Sequence, residues 1–202
     1  MQAVYIVNDV SIAKVLVDPM RRAILHLLRE RPMTQAQLAE ELGLSNASLN
    51  YHTKILRKHG LVNITKRVAE AHGIMQKFFS PAAYLFVYDL NAMPKNIARY
   101  FYPISLERAR ALASAAAIDG VNMSTHSSKN RKLWQLDIEE SASLLSNLLV
   151  SISKQYTRKR VSHGDEMIVY EIYTKAFRLF LHSKSQYAVT TRSNQDKRRL
   201  GV

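Results

Sequence analysis

The stretch from Thr34 to Gly60, TQAQLAEELGLSNASLNYHTKILRKHG, constrains this chain more than any other. It carries two short helical patterns separated by Gly43, Leu44 and Ser45. The first pattern runs from about Gln35 to Leu42. Thr34 is placed to cap it, and Gln37 three residues later completes a capping box. Met33 and Leu38 are spaced to form a hydrophobic staple across that cap. Gly43 then supplies a residue that tolerates positive φ, which stops the helix. Ser45 is placed to cap the second pattern by accepting a backbone N–H near Ser48. Leu49, Ile55 and Leu56 of the second helix and Leu38, Ala39 and Leu42 of the first describe one shared core.

The opposite side of the second helix has a different chemistry. It carries Asn46, Ser48, Asn50, Tyr51, Lys54, Arg57 and Lys58. Short hydrogen-bonding side chains come first and long cations follow. A helix that enters the major groove of duplex DNA needs this order, with polar groups for base edges and cations for phosphates. Asp18-Pro19 opens a preceding helix, with Pro at the first helical position, where its missing N–H costs nothing. Downstream of Gly60, the pieces LVNITKR, VAEAHG and IMQKFFS read as strand, polar turn and strand. Val62 and Ile64 alternate with Asn63 and Thr65, as a half-buried strand requires.

With these pieces in place, residues 9–81 resemble an ArsR-like winged helix-turn-helix domain. The carrying residues are AKVLVDPMRRAILHLL at 13–28, AQLAEELGLSNASLNYHTKILRKHGLV at 36–62 and KRVAEAHGIMQKFFSP at 66–81. The resemblance implies DNA binding, with the wing tip on the sugar-phosphate backbone beside the recognition helix. Many ArsR-like proteins sense metals through Cys on the first helix of the motif. This chain has no Cys, so that thiolate site is excluded.

Composition supports the same direction. The net charge is +13, from 29 Lys and Arg against 16 Asp and Glu, and a basic chain of this size attracts polyanions. The charge is spread along the chain and gains meaning only beside a groove-binding helix. The absence of Cys fits a reducing cytosol. There is no run of 18 or more apolar residues and no signal-peptide pattern at the N-terminus, so a cytoplasmic, nucleoid-associated protein without a membrane span is expected.

The remainder is less specific. Ala3–Val7 reads as a strand or an extended arm. Ser11–Val17 reads as a helix capped by Asp9, and Asp18–Arg31 as a second helix stopped by Pro32. Tyr84–Tyr102 is rich in rings and fits either an aromatic effector pocket or packing, with packing favoured. Ser105–Ile118 predicts a helix, and 119–136 a polar loop anchored by Trp134. A long helix is expected from Asp137 to about Arg158, with an apolar stripe of Ile138, Leu145, Leu148 and Ile152 widened by Leu144, Leu149 and Tyr156. Ser162-His163-Gly164 breaks the chain before a helix over Asp165–His182. Tyr170, Tyr173, Phe177, Phe180 and Leu181 lie on one side of that helix, and Glu171 and Lys175 form an i,i+4 pair on the other. The two make an αα-hairpin whose expected role is dimerisation, with packing on the winged domain as the alternative. The last stretch, 183–202, reads as a basic, mostly disordered tail.

The fold class is therefore mainly α: a winged helix-turn-helix domain with a two-stranded β-wing plus a C-terminal helical αα-hairpin region. The expected divisions are 1–84, 85–182 and 183–202. No H-E-x-x-H, Gly-rich phosphate loop or G-x-S-x-G is present, so no enzyme, cofactor or metal site is expected. The expected partner is double-stranded DNA, bound by a homodimer joined through the C-terminal helices, with an unidentified effector left open. Asn46, Ala47, Ser48, Asn50 and Tyr51 are the expected base readers. Ser45, His52, Lys54, Arg57, Lys58, Lys66 and Arg67 are the expected phosphate contacts, with Lys77 a further option. A transcriptional regulator, in the repressor sense, is the leading expectation; an architectural, chromatin-type DNA-coating protein is the alternative.

Overall fold

The computed structural model describes residues 1–69, 75–104, 138–180 and 182–183. The first element is a strand, β1 (Gln2–Val7), followed by α1 (Val10–Val17) and α2 (Pro19–Glu30). Asp9 caps α1 by accepting from Ser11 N. Asp18 caps α2 by accepting from Met20 N and Arg21 N, and Pro19 occupies the first turn. The helix-turn-helix follows as α3 (Gln35–Glu41) and α4 (Asn46–Lys58). The expected capping box is present in full. Gln37 N donates to Thr34 Oγ1 at 3.2 Å and Thr34 N donates to Gln37 Oε1 at 2.9 Å. Gly43 takes φ 62° after α3, a left-handed conformation that favours glycine.

The wing is an antiparallel pair, β2 (Val62–Ala69) and β3 (Met75–Pro81). Its base is widened by Met33, which exchanges two backbone hydrogen bonds with Phe79. One detail departs from the alternation expected of β2. Ile64 pairs with Phe79 and Lys66 with Phe78, so Thr65 is an extra residue in the ladder. This β-bulge puts Thr65, Lys66 and Arg67 all at the surface instead of alternating inward and outward.

The aromatic stretch after the wing opens with β4 (Ala83–Tyr88), every residue of which is buried. It pairs in parallel with β1, from Gln2 beside Ala83 to Val7 beside Tyr88. A continuous apolar run with no polar alternation is what a strand covered on both faces requires. A short helix over 95–104 follows, with Phe101 stacked on Tyr88 at 4.0 Å between ring centroids. Tyr84, Phe86, Tyr88, Phe101 and Tyr102 are buried, so packing accounts for most of these rings, while Tyr100 is exposed.

The long C-terminal helix spans Ile138–Ser153 and tightens into a 3₁₀ turn at Lys154–Tyr156. Leu145, Leu149, Ile152 and Tyr156 of its predicted stripe are buried, with Leu144 and Leu148 partly so. Ser146 ties the helix to the end of β4: its Oγ donates to Tyr88 O and accepts from Leu90 N, each at 2.9 Å. The chain then runs along the free side of β1, where Ala3 N donates to Lys159 O and Val161 N to Met1 O. A final helix covers 167–180 and buries Ile168, Ile172, Tyr173, Ala176, Phe177 and Phe180. The pair of helices is present, but its link is stitched to β1 rather than standing free.

All of these buried side chains belong to one hydrophobic cluster. The division expected at residue 84 falls inside β4. No local signal in β4 announces that its partner strand lies at the other end of the winged region. The predicted helix at 105–118, the loop at 119–136 with Trp134, and the tail at 184–202 lie outside the described residues.

Candidate nucleic-acid interface

The geometry of α4 follows from its two faces. Leu49 and Leu56 are fully buried, as are Leu38 on α3 and Ile24 and Leu28 on α2. Thr53, which sequence reasoning passed over, is also buried. Its hydroxyl donates back to Leu49 O at 2.9 Å, which satisfies it inside the core. Gln35 Nε2 donates to Asn46 O at 3.1 Å and fixes the start of α4 against α3. These contacts leave the other face in solvent.

On that face Asn46, Ala47, Asn50, Tyr51, Lys54, Arg57 and Lys58 are exposed, and Ser48 is half-buried. Tyr51 is 62% exposed, with its ring free of the core. Ser45 is held in its capping role by Ser48 N at 3.2 Å, yet its own hydroxyl proton remains available to an acceptor. Arg57 and Lys58 occupy the last turn of α4, where cations also complement the helix dipole. The helix carries no Asp or Glu.

His52 is placed differently from the other predicted phosphate contacts. Its side chain is 16% exposed and its Nδ1 is buried 3.7 Å from Asp18 Oδ2. It is turned toward the cap of α2, while the cations of α4 are exposed. Asp18 itself is shaped by opposing causes. Burial pushes its carboxyl upward, but hydrogen bonds and charge from Arg21, together with the Met20 N–H, hold it below the ordinary carboxylate value. It stays an anion facing His52 and Arg21.

The wing adds the second cationic surface. Lys66, Arg67 and Lys77 are all exposed. Lys66 Nζ sits 5.7 Å from the centre of the Phe78 ring, which steadies the amine over an apolar surface. Arg67 and Lys77 are direct cross-strand partners. Like charges directly opposite each other weaken a strand pair, so this register is costly unless an anion lies against it. The sequence shows both residues; their pairing depends on the bulge at Thr65.

At the base of the wing Thr65 Oγ1 and Ser80 Oγ are 3.0 Å apart, and His163 Nε2 lies 3.1 Å from Ser80 Oγ. Burial, then the charge of the N-terminal ammonium, lowers the His163 pKa below 6.5. Neutral His163 therefore links the C-terminal segment to the bulge. Among the described residues no group of His, Asp and Glu is arranged to hold a metal ion, and no helix is long and apolar enough to cross a membrane.

The order of elements, the exposed face of α4 and the two-stranded hairpin beside it define a winged helix-turn-helix fold. A family model described as a helix-turn-helix domain matches residues 16–65, the span from the end of α1 into β2. Among solved structures, the chain is similar to the adhesin competence repressor of Streptococcus pyogenes. The two are 20% identical over 66% of this chain and 83% of that one, with a TM-score of 0.32. No curated protein matches the chain.

Proposed function

We propose that this protein is a DNA-binding transcriptional regulator of the ArsR-like kind that reads the major groove with α4. The observation that carries this reading is the exposed set Asn46, Ala47, Asn50 and Tyr51 on a helix whose other face is locked into the core. Asn50 has the donor and acceptor for a bidentate contact with adenine, and Ala47 suits a thymine methyl. Lys54, Arg57 and Lys58, continued by Lys66, Arg67 and Lys77 on the wing, serve the phosphates. The polar, non-cationic start of α4 favours sequence choice over the alternative of uniform coating, which needs only cations.

The finer form of the proposal is a homodimeric repressor. Two copies of α4 related by a two-fold axis would meet half-sites about 34 Å apart, or a multiple of that. The C-terminal helices are the proposed contact. They bury one face within their own chain, while Met167 and Leu179 remain exposed on the helix over 167–180. Selection of bound duplexes from a randomised pool tests both levels. A recovered motif with two inverted half-sites supports the dimeric reading, and a motif with one half-site supports the regulator without the dimer. Recovery of unenriched sequence would overturn sequence-specific recognition.

A further inference from the structure

The link between the two C-terminal helices carries a cluster of cations. Lys154, Arg158, Lys159 and Arg160 are all exposed. Exposed charges are usually only solvated, so a count of them identifies nothing by itself. Among the described residues, however, none of the four forms an ion pair with a carboxylate. Glu171 lies nearby, but it is engaged by Lys175 Nζ and by the Tyr156 hydroxyl, each at 2.7 Å. Lys175 brings a fifth positive charge to the cluster. Its Nζ is 5.5 Å from the centre of the Tyr156 ring, and Lys159 Nζ is 5.8 Å from the same centre. Asp165 and Glu166 come next in sequence. Gly164 N donates to Arg29 O and both carboxylates act on Tyr84, which places them beside the end of α2.

The cluster is also held in place. Ala3 N donates to Lys159 O at 2.8 Å and Val161 N to Met1 O at 3.1 Å, and Arg160 is bridged to Gln2 between them. The three consecutive cations therefore project from backbone fixed along β1. Their position relative to the wing follows from His163, whose Nε2 is 3.1 Å from Ser80 Oγ, which in turn is 3.0 Å from Thr65 Oγ1. Arg160 precedes His163 by three residues, a span of about 11 Å at most. Thr65 is followed directly by Lys66 and Arg67. The cations of the link and those of the wing are thus separated by roughly 25 Å or less, about seven base-pair steps at 3.4 Å each.

We propose that the link over 154–160 is a second phosphate-binding surface, on which duplex DNA extending past the wing continues. Arg158 and Arg160 supply planar forks suited to phosphate oxygens, and Lys154 and Lys159 supply point charges. Contacts of this kind add affinity and fix orientation without reading bases. The inference rests on the reading of the chain as a DNA-binding protein and lengthens the duplex that one chain covers.

The test measures binding of the full chain to a duplex of about 40 base pairs as salt is varied, since each phosphate contact contributes about 0.9 to the slope of log K against log salt. Arg158→Gln/Arg160→Gln is expected to reduce that slope by about 1–2 and to weaken binding about tenfold or more at ~0.1 M salt. Lys14→Gln/Arg99→Gln removes the same charge from exposed positions on α1 and on the helix over 95–104. It is expected to leave the slope within about 0.5 of the native value. An unchanged slope in Arg158→Gln/Arg160→Gln, or an equal loss in Lys14→Gln/Arg99→Gln, overturns the inference and leaves the DNA reading standing. Absence of duplex binding by the native chain even at low salt overturns both.

Discussion

Helix α4 and the helix Ile138–Ser153 are similar in length, but they spend their surfaces differently. α4 buries Leu49, Thr53 and Leu56 and leaves most of its polar face in solvent. The C-terminal helix buries Ala142, Leu145, Ser146, Leu149, Val150, Ile152 and Ser153, and Ser146 lies at the contact with β4. Small side chains let that helix lie close to its neighbours, and the Ser146 hydroxyl replaces the backbone partners that Tyr88 O and Leu90 N would otherwise lack. One helix is held so that its free face can meet a partner. The other is mostly used up in holding the chain together.

This contrast makes a strong prediction about cooperativity. Leu145 is fully buried in the same cluster as Leu49. Leu145→Ala is expected to cost roughly 2–5 kcal/mol. Because the cluster is continuous, thermal unfolding should remain a single transition that moves down as a whole. A variant in which the C-terminal helix melts first while α3 and α4 stay folded would divide the molecule into two independent halves.

A smaller effect is expected from Ser146→Ala. It strips partners from Leu90 N and Tyr88 O in a site that is 1% exposed, at a cost of about 1–3 kcal/mol. Urea unfolding measures it. A loss no greater than that of an ordinary surface substitution would mean that the tie between the long helix and β4 is dispensable.

His163 gives a pH-dependent version of the same comparison. Its folded pKa lies below the ordinary value of 6.5, so the unfolded chain binds more protons as pH falls through that range. The contribution of His163 to stability is therefore fully present above pH 6.5 and is lost as pH falls toward the folded pKa. Urea midpoints should decline on acidification below that point, and His163→Gln should flatten this part of the decline. An identical pH profile in the variant would remove His163 as a contributor.

The smallest expected stability change has the opposite sign. Lys77→Gln relieves the repulsion with Arg67 across the wing and is expected to stabilise the fold by a few tenths of a kcal/mol, since both groups are exposed and screened. The same change should reduce the salt dependence of DNA binding by about one phosphate contact. Destabilisation together with an unchanged salt slope would place no anion at that pair.

Much of the winged region was legible because its signals are local. Thr34 with Gln37, Asp18 with Pro19, and Gly43 each act within a few residues, and each sits where the sequence reading put it. The polar face of α4 follows from the same short-range periodicity. The features that escaped are non-local or turn on one residue. The run AYLFVY is apolar on both sides, so nothing within it identifies β1 as its parallel partner. The bulge at Thr65 shifts the register by one position and thereby sets Arg67 opposite Lys77. His52 looked like one more basic group on the recognition helix, but it is turned toward Asp18. Ser146 carried no sign in sequence of the backbone groups it binds.

The central claim is that Asn50, held in solvent by the buried side of α4, selects DNA sequence. Affinities of the native chain and of Asn50→Ala for a selected duplex and for random duplex, measured side by side at one salt concentration, test it directly. The account predicts a loss of about 1–3 kcal/mol on the selected duplex and little change on random DNA. Equal losses on both would contradict it.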